Sequence, residues 1–384
     1  MKYIDEFRDG AIAIGLYKKI ASLINGHDEI TIMEVCGSHT MSIYRYGLKK
    51  LLPSNIRLLS GPGCPVCVTS VSYIDTAIAI SQNTSTNSNS GRDVLITTFG
   101  DMMRVPGSSS SLEKERAKGA SVTVVYSTLD ALHLAEKHQD KKVVFLAIGF
   151  ETTAPTIAAS VIEAEMRGLK NYFVLTAHKV MPPVMKALLT DKELNLDGFL
   201  CPAHVSTIIG SRPYEFIARD FHIPCVIAGF EPLDILQGIY MLLKQIVKKD
   251  ASVQIEYSRV VKREGNPAAL DLLDKVFEPC DVEWRGLGFI PQSGLKLRSQ
   301  YERFDALTLM QNKSKIRNLS SAWIGDPKSE IHGCMCGDIL RGVKTPSECK
   351  LFKNVCNPEH PVGACMVSSE GTCAAYYKYG ETES

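Results

Sequence analysis

Eight short apolar runs, separated by segments of helix length, constrain the fold of this chain more than any other feature. Strands that are apolar along their whole length are typical of parallel sheets covered by helices on both faces. The runs lie at residues 30–35, 56–60, 93–99, 121–126, 142–150, 172–177, 197–203 and 223–230. The alternation therefore predicts an α/β protein built from doubly wound, Rossmann-like parallel sheets.

The length of the chain predicts more than one domain, because 384 residues exceed what a single hydrophobic core usually organises. We expect two small doubly wound units, residues 26–140 and 141–250, with a cleft between them at the carboxyl ends of their strands, where open α/β sheets bind ligands. After about residue 251 the alternation weakens and Gly, Pro and Cys become frequent. We therefore predict a third, Cys-rich domain from residues 1–25 and 251–384.

The charge and hydropathy of the chain disfavour two classes of function. Lys and Arg total 43 and Asp and Glu total 42, so the net charge of +1 provides no global field for nucleic acid or an anionic bilayer. The longest strongly apolar stretch, residues 143–150, is far shorter than the roughly 20 residues of a spanning helix. The acidic N-terminal segment does not resemble a secretory signal. We expect a soluble, cytoplasmic protein that binds neither nucleic acid nor membrane.

Twelve cysteines in a chain of this kind are not expected to form a disulfide framework, because the cytosol keeps thiols reduced. Three of them, Cys36, Cys64 and Cys67, lie near the N-terminus, and six fall between residues 334 and 373. Three cysteines lie outside the two groups, and we expect them to be ordinary packed thiols: Cys201, Cys225 and Cys280. The distribution predicts two separate pieces of metal or redox chemistry.

The first group follows the first two predicted strands. Cys36 and His39 follow one strand, and Cys64-x-x-Cys67 follows the next in a loop rich in Gly and Pro. A Cys-x-x-Cys pair before a helix is a redox dithiol or part of a metal site, and buried thiols at a turn are the alternative without chemistry. Three thiolates and an imidazole suit iron or zinc and leave one exchangeable position. His39 is a candidate metal ligand, a hydrogen-bond donor to the ligands, a proton carrier or a packing residue.

The second group has six cysteines, which is two more than a zinc site or a [4Fe–4S] cluster needs and leaves a pair for dithiol chemistry. Its members are Cys334, Cys336, Cys349, Cys356, Cys365 and Cys373. The absence of repeated Cys-x-x-Cys pairs favours an iron–sulfur cluster over a zinc ribbon. Two acidic residues are further site candidates, since Asp101 follows the third predicted strand and Glu370 lies between the last two cysteines.

Along essentially its whole length the chain resembles the HypD family, which matures the iron–dicyanide–carbonyl group of [NiFe] hydrogenases. The resemblance rests on MEVCGSHTMSIYRYGL, LLSGPGCPVCVTS, TTFGDMMRVPG, AIGFETTAPT, CPAHVSTIIG and CNPEHPVGACMVSSEGTCAAYYKY. The family usually reads Cys-Gly-Gly-His-Thr-His where this chain has Cys36-Gly37-Ser38-His39-Thr40-Met41. Met41 thus replaces a second histidine and argues against proton transfer at that position.

The resemblance implies a scaffold that works with the small partner HypC and holds the iron of the Fe(CN)2CO intermediate. Cyanide would arrive from a thiocyanate on HypE, with HypF and the hydrogenase large subunit as indirect partners. By family position, the iron-site cysteines are Cys36, Cys64 and Cys67, and His39, Asp101 and Glu370 are polar groups near them. A C-terminal [4Fe–4S] cluster resembling that of ferredoxin–thioredoxin reductase would have Cys334, Cys349, Cys356 and Cys373 as ligands, with Cys336 and Cys365 as a redox pair.

Two other functions remain open from the sequence. One is a thiol–disulfide oxidoreductase of the ferredoxin–thioredoxin reductase type, with Cys64 and Cys67 as its dithiol. The other is a zinc-stapled α/β binding protein. Iron with cyanide bands in the isolated complex would favour the assembly scaffold, and turnover of a generic disulfide without iron would favour the oxidoreductase. Metal analysis with an absorption spectrum would separate zinc from an iron–sulfur cluster.

Overall fold

The computed structural model describes residues 5–82, 93–310 and 333–380. Its strands are β1 (Ile30–Glu34), β2 (Ile56–Ser60), β3 (Val94–Thr98), β4 (Val122–Val124), β5 (Lys142–Gly149), β6 (Tyr172–His178), β7 (Gly198–Pro202), β8 (Cys225–Ala228), β9 (Val253–Ile255), β10 (Phe277–Trp284) and β11 (Gly288–Leu297). The helices are α1 (Gly10–Leu23), α2 (Gly37–Arg45), α3 (Leu48–Leu51), α4 (Pro65–Val68), α5 (Val71–Ser81), α6 (Leu112–Ala117), α7 (Thr128–Lys137), α8 (Ala154–Met166), α9 (Met181–Leu189), α10 (Ala203–Ile209), α11 (Glu215–Phe221), α12 (Pro232–Lys248), α13 (Pro267–Val276), α14 (Cys336–Leu340) and α15 (Thr372–Tyr379).

Two parallel sheets organise the chain, which confirms the predicted α/β class. The first sheet has the order β2-β1-β7-β8-β9 and the second has the order β4-β3-β5-β6. All eight apolar runs of the sequence are strands of these sheets. Every residue of β1, β3, β7 and β8 is buried, because helices cover both faces of each sheet.

The division of strands at residue 140 was wrong. Strand β3 pairs with β5, with Val94 opposite Lys142, so strands on both sides of that position share the second sheet. The chain leaves the first sheet after β2, builds the whole second sheet, and returns to the first sheet at β7. Parallel strands are joined by long crossovers, so the order of strands along the sequence does not fix which of them pair.

The N-terminal helix also differs in position from the prediction. Leu16 and Ile20 of α1 belong to the apolar cluster that covers one face of the first sheet, together with Leu236 and Ile239 of α12. Strand β9, which was assigned to the third region, forms the edge of the same sheet. Helix α1 thus packs on one face of the first sheet, and strand β9 is one of its strands.

An antiparallel hairpin of β10 and β11, which the sequence did not predict, lies between the two sheets. Trp284 forms a bridge with Thr69, just after α4, and Gly294 forms one with Lys179, just after β6. The Trp284 side chain is fully buried, and its Nε1 donates a hydrogen bond of 2.8 Å to the hydroxyl of Ser293. The hairpin therefore joins elements that follow the strand ends of both sheets.

No helix in the part of the chain that the structure describes is long and apolar enough to cross a membrane.

Candidate functional site

The loops that follow β1 and β2 meet at the carboxyl edge of the first sheet. The Gly61 amide donates to the Glu34 carbonyl at 2.8 Å, and the Gly37 amide donates to the Gly63 carbonyl at 3.0 Å. A Cβ atom on Gly63 would lie 2.3 Å from the backbone nitrogen of Cys36. Only glycine allows this approach, so the sequence GPGC serves to bring the loop of Cys64 against the loop of Cys36.

Cys64 and Cys67 open helix α4, as the sequence predicted for a Cys-x-x-Cys pair at a strand end. Cys64 is the N-cap residue, Pro65 takes the first helical position, and the Cys64 sulfur accepts from the Cys67 amide at 3.3 Å. The two sulfurs form a disulfide with their Cα atoms 5.2 Å apart, and both residues are buried. The structure therefore holds the pair in the oxidised form.

Cys36 is a buried thiol at the start of α2. Burial, with smaller contributions from Glu370 and Glu34, raises the pKa of Cys36 to about 12. A thiol with this pKa stays protonated at neutral pH, whereas a bound metal ion would stabilise the thiolate. Without a bound cation, Cys36 is therefore a weak nucleophile at neutral pH.

Glu34 orients the loop of Cys36 from within the core. Its Oε2 accepts from the Cys36 amide at 3.1 Å, and its Oε1 accepts from the Thr40 hydroxyl. Burial raises the pKa of Glu34 to about 8, so the carboxyl is largely protonated at pH 7. Sequence reasoning included Glu34 in the motif but gave it no role.

His39 points away from solvent toward the end of β8. Its Nε2 lies 3.0 Å from the Ala228 carbonyl and 2.9 Å from the Gly229 carbonyl, so Nε2 carries the proton and donates it. Burial lowers the pKa of His39 to about 4, and the ring is neutral. Its Nδ1 is buried without a hydrogen-bond partner among the described residues, which leaves one free lone pair beside the Cys36 helix turn.

Glu370 connects the C-terminal region to the first site, but Asp101 does not. The Ser38 hydroxyl donates to Glu370 Oε1 at 2.7 Å, and a Cβ atom on Gly37 would lie 2.6 Å from the Glu370 Cβ. Asp101 is exposed in the 3-10 turn Gly100–Arg104, and no hydrogen bond or ion pair within the described residues joins it to either cysteine group. Its role stays a prediction.

All six C-terminal cysteines line one small pocket, whose walls are otherwise mainly apolar. They are Cys334, Cys336, Cys349, Cys356, Cys365 and Cys373, and Ile339, Leu351, Phe352 and Met366 complete most of the wall. The sulfurs of Cys336 and Cys365 are 2.7 Å apart. Within the described ranges, no group of three or more His, Cys, Asp or Glu side chains stands in a geometry that would hold a metal ion. The pocket is a set of soft donors in a sheltered site.

The two cysteine groups approach each other through α4. The Cys67 sulfur faces the Ala364 carbonyl at 4.0 Å, and Ala364 directly precedes Cys365. Arg285, at the tip of the hairpin, donates from its backbone amide to the Val68 carbonyl at 2.9 Å. Sequence reasoning missed Arg285 because a single arginine outside any motif carries no signal.

Comparison with known proteins identifies the family of this chain. The family profile described as "HypD: Hydrogenase formation hypA family" matches residues 11–380. The chain belongs to the HypD family. It is 46% identical over 389 residues to the hydrogenase maturation factor HypD2 of Bradyrhizobium diazoefficiens, covering 99% of this chain and 97% of that protein. The HypD proteins of Cupriavidus necator and Azotobacter vinelandii are each 45% identical, with 99% of this chain and 97% of each relative covered. The HypD profile spans both cysteine groups.

Proposed function

We propose that this chain is a cytoplasmic hydrogenase maturation factor that, with HypC, holds iron and accepts the cyanide ligands of the Fe(CN)2CO group. The observation that carries the proposal is the close contact between the loop of Cys36 and the loop of Cys64, with Cys67 one helical turn further. Once the Cys64–Cys67 disulfide is reduced, three soft sulfur donors on one sheet edge suit iron that carries strong-field ligands. The iron is the cargo of the site, and HypE is the proposed cyanide donor.

Two buried groups prepare this site for its cargo. Glu34 holds the Cys36 amide, and the neutral ring of His39 is fixed by two backbone carbonyls. Because burial lowers the pKa of His39 to about 4, its ring stays neutral, so His39 positions the Cys36 helix and does not take up the protons that the thiols lose. Glu370, held by Ser38, places a carboxyl group at the same edge.

The C-terminal pocket fits a [4Fe–4S] cluster by the chemistry of its donors. Six thiols exceed the four that such a cluster needs, and the proposed ligands are Cys334, Cys349, Cys356 and Cys373. When bound, the cluster would supply electrons one at a time. The remaining pair, Cys336 and Cys365, already lies at 2.7 Å between sulfurs and supplies two electrons and two protons when it forms a disulfide. Cleavage of a thiocyanate to a thiol and hydrogen cyanide consumes the same two electrons and two protons.

The iron-site proposal is tested on the anaerobically purified complex with HypC. Infrared spectroscopy should show cyanide stretching bands in the wild type and in the control Cys280→Ala, whose thiol lies outside both groups. We expect Cys36→Ala, Cys64→Ala and Cys67→Ala each to lose the bands. Full bands in Cys64→Ala, or turnover of a generic disulfide by iron-free protein, would contradict the scaffold and favour an oxidoreductase.

The cluster proposal has a separate test. Iron and zinc analysis with an absorption spectrum should show iron–sulfur absorption in the wild type and in Cys280→Ala, and a strong loss in Cys349→Ala. Zinc without this absorption would show that the C-terminal pocket is a structural zinc site.

A further inference from the structure

A pocket of about 420 Å³ is lined by elements that follow strands of both sheets, and no cysteine is among the described residues that line it. Glu151 follows β5, Val180 follows β6, and Ile209 ends α10, which follows β7. Helix α13 and the hairpin complete the wall with Leu273 and Phe277. Parallel α/β sheets bind ligands beyond the carboxyl ends of their strands, and pockets of this size commonly hold small molecules. The pocket therefore lies where a ligand is expected.

Most of the pocket wall is apolar. Besides Leu273 and Phe277, its apolar side chains include Ile209, Leu270 and Leu295. Such a wall favours a ligand that has an apolar part, because that part leaves water when it binds. The rest of the ligand is set by the polar groups that the wall contains.

Glu151 is the buried polar side chain of the described wall. It is 3% exposed, and its Oε1 accepts from the Met181 amide at 2.9 Å. Its Oε2 is also buried, but it has no hydrogen-bond partner among the residues that the structure describes. A buried oxygen without a partner costs free energy, which a polar group of a ligand would recover. The unpaired Oε2 therefore points to a ligand with a polar group at this place.

The charges of the pocket favour a positive polar group over a negative one. The exposed charged residues of the lining are Glu264, Asp274 and Arg212, so acidic side chains outnumber basic ones three to one when Glu151 is counted. Burial raises the pKa of Glu151 to about 7, so a nearby cation is enough to hold its carboxylate form at neutral pH. An ammonium group would make a charge-assisted hydrogen bond to Oε2, whereas a carboxylate would place a like charge beside it.

We propose that this pocket binds a small organic amine, with the apolar part of the amine against Leu273 and Phe277 and its ammonium group at Oε2 of Glu151. No covalent bond is made or broken, and the site needs neither iron nor a cluster. The inference therefore goes beyond the proposed maturation function and is tested separately from it. An apolar side chain of a partner protein is the other occupant that the wall would suit, but it would leave Oε2 unpaired.

The test measures the binding of 2-phenylethylamine to the full-length, anaerobically purified chain at pH 7 by isothermal titration calorimetry. The comparison compounds are 2-phenylethanol, which is neutral, and 3-phenylpropanoate, which is negative, and both carry the same ring on a chain of similar length. Glu151→Gln removes the negative charge and keeps the size of the side chain, and Leu270→Trp narrows the pocket without changing Glu151. The matched control is Glu163→Gln, since Glu163 is an acid of α8 that is paired with Arg167 at 2.7 Å.

We expect the wild type to bind the amine at least tenfold more tightly than the alcohol or the carboxylate, which is about 1.4 kcal/mol. Glu151→Gln should lose at least tenfold in affinity for the amine and stay within threefold of the wild type for the alcohol. Leu270→Trp should weaken the binding of both, and Glu163→Gln should not change it. If Glu151→Gln does not accumulate as folded protein, Glu151→Asp, which withdraws the carboxyl group by one methylene, is measured with the same expected loss.

Three results overturn the inference. Equal affinities for the amine and the alcohol mean that the pocket takes apolar groups without regard to charge, as an apolar side chain of a partner would require. Amine binding that persists in both Glu151→Gln and Leu270→Trp belongs to another place on the protein. A wild type that binds none of the three compounds has no site for this class of ligand. None of these results bears on the cyanide bands or the iron–sulfur absorption, which test the proposed function.

Discussion

The contact between the loops of Cys36 and Cys64 predicts a large effect of the small substitution Gly63→Ala. The backbone of Gly63 passes so close to the other loop that an added Cβ would lie 2.3 Å from the nitrogen of Cys36, 2.4 Å from its Cα and 2.6 Å from the carbonyl carbon of Val35. These neighbours are backbone atoms, which cannot move aside as a flexible side chain does. The two loops must therefore separate.

The size of the effect follows from the distances. Ordinary contact with a Cβ begins at 3.4 Å, so the loops must separate by about 1 Å. Metal sites keep their ligand distances within about 0.2 Å, which is a small fraction of that movement. We expect the affinity for iron to fall roughly 10- to 100-fold. Overpacking of this kind also lowers the free energy of unfolding by about 1–3 kcal/mol.

Iron content, infrared cyanide bands and urea unfolding of the complex with HypC measure both effects. The matched control is Gly100→Ala, because a Cβ on Gly100 meets only a side-chain atom of Val124 at 3.8 Å. We expect the control to keep its bands and its stability. If Gly63→Ala loads as much iron cyanide and is as stable as Gly100→Ala, then contact between the two loops is not what assembles the iron site.

Three further changes have measurable outcomes. A Cβ on Gly286 would lie 2.2 Å from the Cα of Gly337, so Gly286→Ala should lower the free energy of unfolding by about 1–3 kcal/mol and release the hairpin tip, seen as faster amide exchange there; unchanged exchange would contradict this. Burial raises the pKa of Glu151 to about 7 from 4.5, so its contribution to the free energy of unfolding is complete below pH 4.5 and is lost as the pH rises through 7. Glu151→Gln should remove up to about 3 kcal/mol of that decline in urea unfolding between pH 5 and 8, and an unchanged slope would refute it. Trp284→Phe should lower the free energy of unfolding by about 2 kcal/mol, partly through the bond to Ser293, and a smaller effect than that of Ser293→Ala would be inconsistent with this.

The strands were predictable from the sequence, but their distribution between sheets was not. Runs such as 143–150 are apolar throughout because both of their faces are buried, and this pattern is local. The pairing of β3 with β5, and of β1 with β7, depends on where the crossovers lead the chain. No local pattern records that path, so a division at residue 140 followed from sequence order alone.

The hairpin was missed for a related reason. Strands β10 and β11 contain Pro279, Pro291 and two glycines, and their residues alternate irregularly between buried and exposed. Their order comes from packing between the two sheets, through bridges to Thr69 and Lys179. The glycines and cysteines of the first site were visible as a motif because a close backbone approach requires specific residue types. The burial of a single arginine such as Arg285 leaves no comparable pattern in the sequence.

The position of Cys64 and Cys67 in the chain explains how two distant cysteine groups come together. Helix α4 lies where the chain leaves the first sheet and passes to the second, so it has neighbours on several sides. The loop that precedes it touches the loop of Cys36 through Gly63, its last residue receives the Arg285 amide, and the Cys67 sulfur faces the Ala364 carbonyl. A change in the bonding of Cys64 and Cys67 therefore acts on contacts with the first site, the hairpin and the C-terminal pocket together. The crossover thus places next to each other two cysteine groups that lie about 270 residues apart in sequence.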